Sequence, residues 1–222
     1  MKTILVVSPH PDDETLGCGG SLLKHRAGGD AVYWLIVTAI TRAAGYTAAR
    51  MQRREKEIAT VSARYGFKGV RQLGFSTKRL DAMPMADLIE KTSAAIGEVK
   101  PDLIYVPDRG DIHTDHRIVF DAVASCTKWF RVPFVQRILA YETLSETGIG
   151  LDLATGFKPN VYVDITPYLD EKIRIMKLYK GETGLHPFPR SQASMRAQAV
   201  LRGAESGFEA AEAFVLLKER LS

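Results

Sequence analysis

The sequence predicts an α/β fold: a mostly parallel sheet with helices on both faces and a C-terminal extension over one end. Three observations carry that prediction. Short apolar, β-branched runs recur, as in KTILVVS at 2–8, AVYWLIVTA at 31–39 and DLIYV at 102–106. Each is followed by a longer stretch with helical patterning, the alternation that a parallel sheet with crossover helices requires. The chain has 222 residues, 45% of them hydrophobic and 25% charged, enough to bury a core without staples. One domain spanning 1–222 is expected, because no repeat, low-complexity tract or linker breaks the sequence.

The elements follow in order. Residues 2–8 read as a buried strand, 14–28 as a helix, 31–39 as a second strand and 47–65 as a second helix. A short strand at 70–74 precedes a helix at 84–98 that opens on Pro84, whose missing N–H has no helical partner in a first turn. Residues 102–106 form another buried strand, 115–129 a helix and 134–141 a strand. After residue 145 the pattern changes. Residues 160–165 alternate like a strand, 167–180 read as a helix, and the turn-rich GETGLHPFPR follows. A further helix spans 191–204, and AFVLL at 213–217 reads as an edge strand or part of a helix. Gly17, Gly19 and Gly20 fall inside the first helix, where each costs roughly 1 kcal/mol against Ala. Close helix–sheet packing is the expected compensation. A dinucleotide loop is not, because Leu22 stands where that motif needs Gly or Ala.

Composition narrows the function classes. Cys18 and Cys126 stand far apart with no CxxC pair, which argues against a disulfide scaffold or thiolate zinc site and for reduced thiols in a cytoplasmic protein. The N-terminal apolar run is short and meets Asp12, Asp13 and Glu14 at once, unlike a signal peptide. The longest apolar stretch, 31–40, is about half of what a membrane helix needs, so no integral membrane segment is expected. The net charge is +4. Its basic cluster at Arg50, Arg53, Arg54 and Lys56 is interleaved with Glu55 and Glu57, which reads as a solvated helix face rather than a nucleic-acid site.

Two motifs carry chemistry. Pro9-His10-Pro11-Asp12-Asp13-Glu14 lies between the first strand and the first helix, and Asp111-Ile112-His113-Thr114-Asp115-His116 follows the strand ending near Val106. Both fall at carboxyl ends of strands, where open α/β sheets bind ligands. Acids at a helix start can serve as caps, but capping does not explain a histidine with two aspartates on a proline-clamped turn. His113 and His116, three residues apart, share a helix face. Together the motifs suit a cation held by imidazole and carboxylate with a position left for water. Asp12 and Asp13, neighbours on a non-helical turn, should diverge, one toward metal and one toward the water's proton. His25 is expected to be exposed and without a role, and His186 to be an ordinary loop histidine. Nothing near Cys18 marks it as a nucleophile.

These residues resemble the N-acetylglucosaminyl-phosphatidylinositol de-N-acetylase (PIG-L, LmbE-like) family. PHPDDE at 9–14 and HTDH at 113–116, in that order, look like its two signatures. Arg54-x-x-Glu57 with Gly66, KPD at 100–102, KPN at 158–160, and Arg202-Gly203 followed by Ala211-Glu212-Ala213-Phe214 are similar to its pattern, so the likeness runs nearly the whole chain. The resemblance implies a Rossmann-like fold and a zinc-dependent deacetylase of N-acetylated amino sugars, with one zinc ion per chain. By position it implies His10, Asp13 and His116 as metal ligands and Asp12 as general base. It implies His113, protonated, as the group that steadies the oxyanion, Asp115 as the residue that orients a histidine, and Arg54 as a substrate contact. The partner implied is a small-molecule N-acetyl amino sugar conjugate, and a homo-oligomer is compatible with it. Members often carry Tyr-x-Ser-Gln after the late helix, whereas here Tyr179 is followed by Lys180, Gly181 and Glu182. Two other readings stand beside this one. A metallo-phosphoesterase would show two metals per chain, and a non-catalytic nucleotide- or sugar-binding module would bind without turnover.

Overall fold

Alternate residues of each central strand leave for opposite faces of the sheet, and that regularity builds two cores. The computed structural model describes residues 1–150 and 156–221. β1 (Thr3–Ser8), β2 (Ala31–Ala39), β3 (Gly69–Ser76), β4 (Leu103–Pro107) and β5 (Arg137–Tyr141) run parallel. β6 (Val161–Asp164) and β7 (Ala211–Glu219) are added with β7 antiparallel to β5 and β6 antiparallel to β7. The order across the sheet is β3-β2-β1-β4-β5-β7-β6. The helices are α1 (Asp13–Ala27), α2 (Ala48–Tyr65), α3 (Met85–Val99), α4 (Thr114–Cys126), α5 (Leu169–Met176) and α6 (Gln192–Ser206).

On one face, Ile4, Val6, Trp34, Ile36 and Tyr105 meet Leu16 and Leu22 of α1, Ile58 and Val61 of α2, Ile173 of α5 and Met195 of α6. On the other, Leu5, Val7, Leu35, Val37, Ile104 and Val106 meet Leu88 and Ile96 of α3 and Val119 and Val123 of α4. Each such burial stabilises by about 1.5–3 kcal/mol. This is the mostly parallel arrangement that the strand–helix alternation implied, and the Rossmann-like fold that the resemblance implied. The AFVLL segment is strand, and it lies inside the sheet rather than at its edge: it belongs to β7, whose first four residues, 211–214, are buried, and β6 takes the outer position. The helix read at 167–180 is shorter. A 3₁₀ turn at Thr166–Tyr168, with Pro167 in its first turn, leads into α5, which ends at Met176.

The glycines of α1 are there for contact. A Cβ on Gly17 would stand 2.1 Å from Cδ2 of Tyr141, and one on Gly20 would stand 2.7 Å from Ile165. α1 is also kinked, with Cys18 at φ −141°, and the kink frees backbone groups that burial would otherwise leave orphaned. Glu212 of β7 accepts from the N–H groups of Gly20 (2.8 Å) and Ser21 (2.7 Å). Lys172 of α5 donates to the Leu16 carbonyl (2.9 Å) and to Glu212 (2.7 Å). Because Lys172 and Glu212 are both buried, removing one leaves an uncompensated charge. Lys172→Met is expected to lower unfolding free energy by about 3–5 kcal/mol in urea titration. A loss below about 1 kcal/mol would show that the pair behaves like a solvated one.

Candidate metal centre and active site

The strand order reverses at β1. The chain moves outward through β2 and β3, then returns to lay β4 on β1's other side, with Ile4 opposite Leu103 and Val6 opposite Tyr105. A crevice opens at such a reversal beyond the strands' carboxyl ends. The two loops bordering it are those carrying residues 9–13 and 108–113.

The first loop is held against its own preference. Asp12 takes φ +137°, a conformation few L-residues adopt. Its N–H donates to Oε2 of Glu14 (3.0 Å), Nη1 of Arg54 donates to the Pro11 carbonyl (2.8 Å), and Oδ2 of Asp13 accepts from the His10 N–H (2.8 Å). Glu14 is fully buried and is itself fixed by the hydroxyls of Thr15 (2.6 Å) and Tyr179 (2.7 Å). Burial outweighs those bonds and raises its carboxyl to about 7. In the second loop His113 caps α4, its Nδ1 accepting from the Asp115 N–H (3.1 Å).

The two loops meet at Asp13. Its Oδ2 lies 3.3 Å from Nδ1 of His10 and 3.4 Å from Nε2 of His116. Donor atoms at ordinary zinc distances from a tetrahedral ion stand roughly 3.3 Å apart, so the spacing suits one ion facing the cleft. The far nitrogen of each ring is engaged as well. Nε2 of His10 bonds Oδ2 of Asp115 (3.0 Å), and Nδ1 of His116 bonds Oδ2 of Asp111 (2.7 Å), which also accepts at Oδ1 from Thr147 (2.5 Å). Carboxylates behind both rings select the tautomers that turn a bare nitrogen to the cation. His10, His113 and Asp115 also cluster. There, however, Asp115 already accepts from His10 and from the N–H groups of Lys78 (2.7 Å) and Leu80 (3.4 Å), so the set built on Asp13 fits a metal better.

Residues 5–127, over half of the chain, match the family PIG-L: GlcNAc-PI de-N-acetylase. The chain belongs to this family. Among its relatives, this PIG-L member is 26% identical over 230 residues to the diacetylchitobiose deacetylase of Thermococcus kodakarensis, covering 96% of this chain and 82% of that protein. It is 29% identical over 211 residues to the 2'-N-acetylparomamine deacetylase of Streptomyces fradiae, covering 81% of this chain and 73% of that one. A solved conserved protein from Thermus thermophilus superposes with a TM-score of 0.79 at 26% identity, over 100% of this chain and 97% of the other.

The PIG-L cleft has a volume of about 240 Å³ and is lined by His10, Asp12, Asp13, His113 and His116 from the two motifs. Asp12 and Asp13 take different partners: Oδ2 of Asp12 accepts from Nη1 of Arg190 (3.0 Å), whereas Asp13 faces His10 and His116. Burial and the neighbouring Asp13 charge push the Asp12 carboxyl well above its usual range, against the pull of Arg190. Burial would raise Asp13 too, but His116 and His10 hold it well below the ordinary carboxylate value. His113 differs from expectation. Burial and the charges of His10 and His116 lower it to about 4, and its Nδ1 is an acceptor, so the ring is neutral with its proton on Nε2. Oδ2 of Asp115 stands 3.0 Å from Nε2 of His10. Arg54 is at the cleft wall but buried, its guanidinium spent on Pro11, Glu57 and Glu182. His25 is half-buried, not exposed, and is bonded to Asp30 (2.8 Å) and Tyr105 (3.0 Å). His186 is exposed outside the cleft.

Sequence reasoning passed over Asp111, Glu14, Glu182 and Arg190. Asp111 had a signal, five residues before His116 in the same loop. Arg190 had none, reaching Asp12 across 178 residues. Strain offers a structural signal: among the described residues, three of the four non-glycine residues with positive φ, namely Asp12, Lys78 and Ser145, line the cleft.

Two outcomes follow from this geometry. Burial would lower His10, but the carboxylates of Asp115 and Asp13 outweigh it and raise it to about 10. The metal-free imidazole therefore holds a proton at pH 7.5 that a cation must displace. Calorimetric titration with a divalent ion in buffers of different ionisation enthalpy should show about one proton released per site; heats independent of buffer would contradict it. Asp111→Asn should weaken metal affinity by roughly 10–100-fold with little change in fold by circular dichroism, and unchanged affinity would remove Asp111 from the centre.

Proposed function

We propose that this chain is a zinc-dependent N-deacetylase that hydrolyses the acetamide of an N-acetylated, N-acetylglucosamine-type amino sugar conjugate. The observation that carries the reading is the convergence of His10, Asp13 and His116 on one point of a cleft that also holds Asp12 and His113. Two nitrogens and one carboxylate oxygen with an open position suit catalytic zinc, and the deacetylases among the chain's relatives support the reaction type.

His10, Asp13 and His116 would hold the zinc ion, whose chemistry is to acidify a water molecule and polarise the amide carbonyl. Asp12 is the base. Arg190 occupies Oδ2 and leaves Oδ1 to take the proton as water attacks the carbonyl carbon. Its raised affinity for a proton suits that task. His113 keeps its proton on Nε2 because Nδ1 is bound to the Asp115 N–H. It steadies the negative charge growing on the carbonyl oxygen as a neutral donor, a contribution typically worth a few kcal/mol. The C–N bond then breaks, and the proton held by Asp12 passes to the departing nitrogen, leaving acetate and a free amine.

Acetate release from a panel of N-acetylglucosamine conjugates, with chelated and zinc-restored enzyme, tests the reading. Asp12→Asn is expected to retain zinc while kcat falls by about 10²–10⁴-fold, whereas His10→Ala, Asp13→Ala and His116→Ala lose zinc. Turnover by Asp12→Asn at the parent rate would remove Asp12 as base. Acetate release unaffected by chelation would end the metal-dependent reading.

A further inference from the structure

A second cavity lies at the amino ends of the parallel strands, opposite the metal centre. Lys2, Asp102 and Gln136, which precede β1, β4 and β5, stand at its rim. Its volume is about 740 Å³, within the range of small-molecule sites. Leu103 and Tyr105 of β4, Leu139 of β5 and Val161 and Val163 of β6 make its apolar side, and α1 contributes Ser21, Lys24 and His25.

Two buried polar atoms of this cavity lack partners. Oγ of Ser21, in a residue only 1% exposed, has no hydrogen-bond partner, and neither has Nε of Arg137. The Tyr105 hydroxyl beside Ser21 is already given to Nε2 of His25 (3.0 Å), whose Nδ1 is held by Asp30 (2.8 Å). Its position also feels the Arg137 charge, so the two unpartnered donors border one region. A buried donor without an acceptor costs free energy, and a carboxylate carries two acceptor oxygens.

Among the described residues four cations and four carboxylates line the cavity, but they are unevenly engaged. Asp30 accepts from the Lys2 N–H (2.7 Å) as well as His25, Asp102 from the Thr3 N–H (2.7 Å), and Asp164 from the Thr166 N–H (2.9 Å). Lys24 and Arg220 meet only neutral carbonyls, those of Asp164 (3.1 Å) and Pro133 (2.9 Å), and Lys2 makes no ion pair. Glu219 stands 3.4 Å from Nε of Arg137, outside hydrogen-bond geometry. A cationic guest would find its acids taken by backbone N–H groups, whereas an anionic one finds donors unused.

We propose that this cavity binds a monocarboxylate with an apolar body, its acid group accepting from Arg137 and Ser21 and its body lying over Leu103, Leu139, Val161 and Val163. The site shares no lining residue with the metal cleft, so it stands or falls apart from the deacetylase reading.

The test is calorimetric titration of the zinc-restored chain with decanoate and 2-naphthoate, and with decanol and decyltrimethylammonium as uncharged and cationic counterparts. At least one acid should bind at one site per chain, about tenfold or more tighter than decanol, and the ammonium should not bind. Which acid leads separates an aliphatic from an aromatic source. Arg137→Gln should weaken the acid by about tenfold or more, and Val163→Trp, which fills the cavity, should abolish binding. Arg71→Gln, on β3 at the far edge of the sheet, removes the same charge and should leave Kd unchanged. Circular dichroism checks that each variant is folded. Failure of both acids to bind, decanol binding as tightly as the acids, or a Kd that survives either cavity variant in its folded form overturns the site.

Discussion

The parallel pairing of β1 with β4 is the constraint on which the site depends. Both strands are buried on both faces, and their register places Val6 against Tyr105, so the two loops leave the sheet side by side. A slip of one residue would exchange Leu5 and Val7 with Ile4 and Val6 between two cores of different shape. The packing that fixes the register therefore also fixes the distance between Asp13 and His116. A third loop is drawn in by the same means, through the bonds of Lys78 and Leu80 to Asp115.

What the loops bring together is negative charge with few positive partners. Asp13, Asp111 and Asp115 converge on His10 and His116, and all three carboxylates are buried. Buried charge is costly unless paired, so the arrangement favours a cation at its centre. The raised His10 meets that preference with a proton, and a metal ion held there would meet it with more charge at the same point. Asp12 sits just outside this balance. Arg190 compensates it at one oxygen, and the strained turn, with its N–H on Glu14, aims it.

The fold and the central cluster were legible because their signals are local. Apolar runs, helical stretches and two short motifs at strand ends each fit within a few residues, and the switch-point rule joins the motifs without knowledge of distance. The rest was hidden for physical reasons. The placement of β7 inside the sheet depends on pairing with β5 and β6, which AFVLL alone does not state. The neutrality of His113 depends on its ring serving as a cap and on two neighbouring imidazoles. Of the GETGLHPFPR loop, Glu182 and Arg190 line the cleft and the histidine does not, because a long side chain reaches the cleft from a segment whose own backbone pattern says only turn.

The departure after Tyr179 shows how the motif chemistry and the cleft wall are joined. Tyr179 is buried, with its hydroxyl on Glu14, so the end of α5 is tied to the turn that carries Asp12. The Lys180 N–H bonds Glu57 (3.1 Å), and Glu182 then meets Arg54. The anchor thus fixes where the following residues arrive, and their identity decides what charge they present. A carboxylate at 182 engages Arg54 and Arg190, the arginines beside Asp12. A neutral residue there would leave Arg54 and Arg190 with less compensating charge beside Asp12. Changing one side chain beyond the anchor would thereby alter the charge of the cleft wall without moving His10, Asp13 or His116.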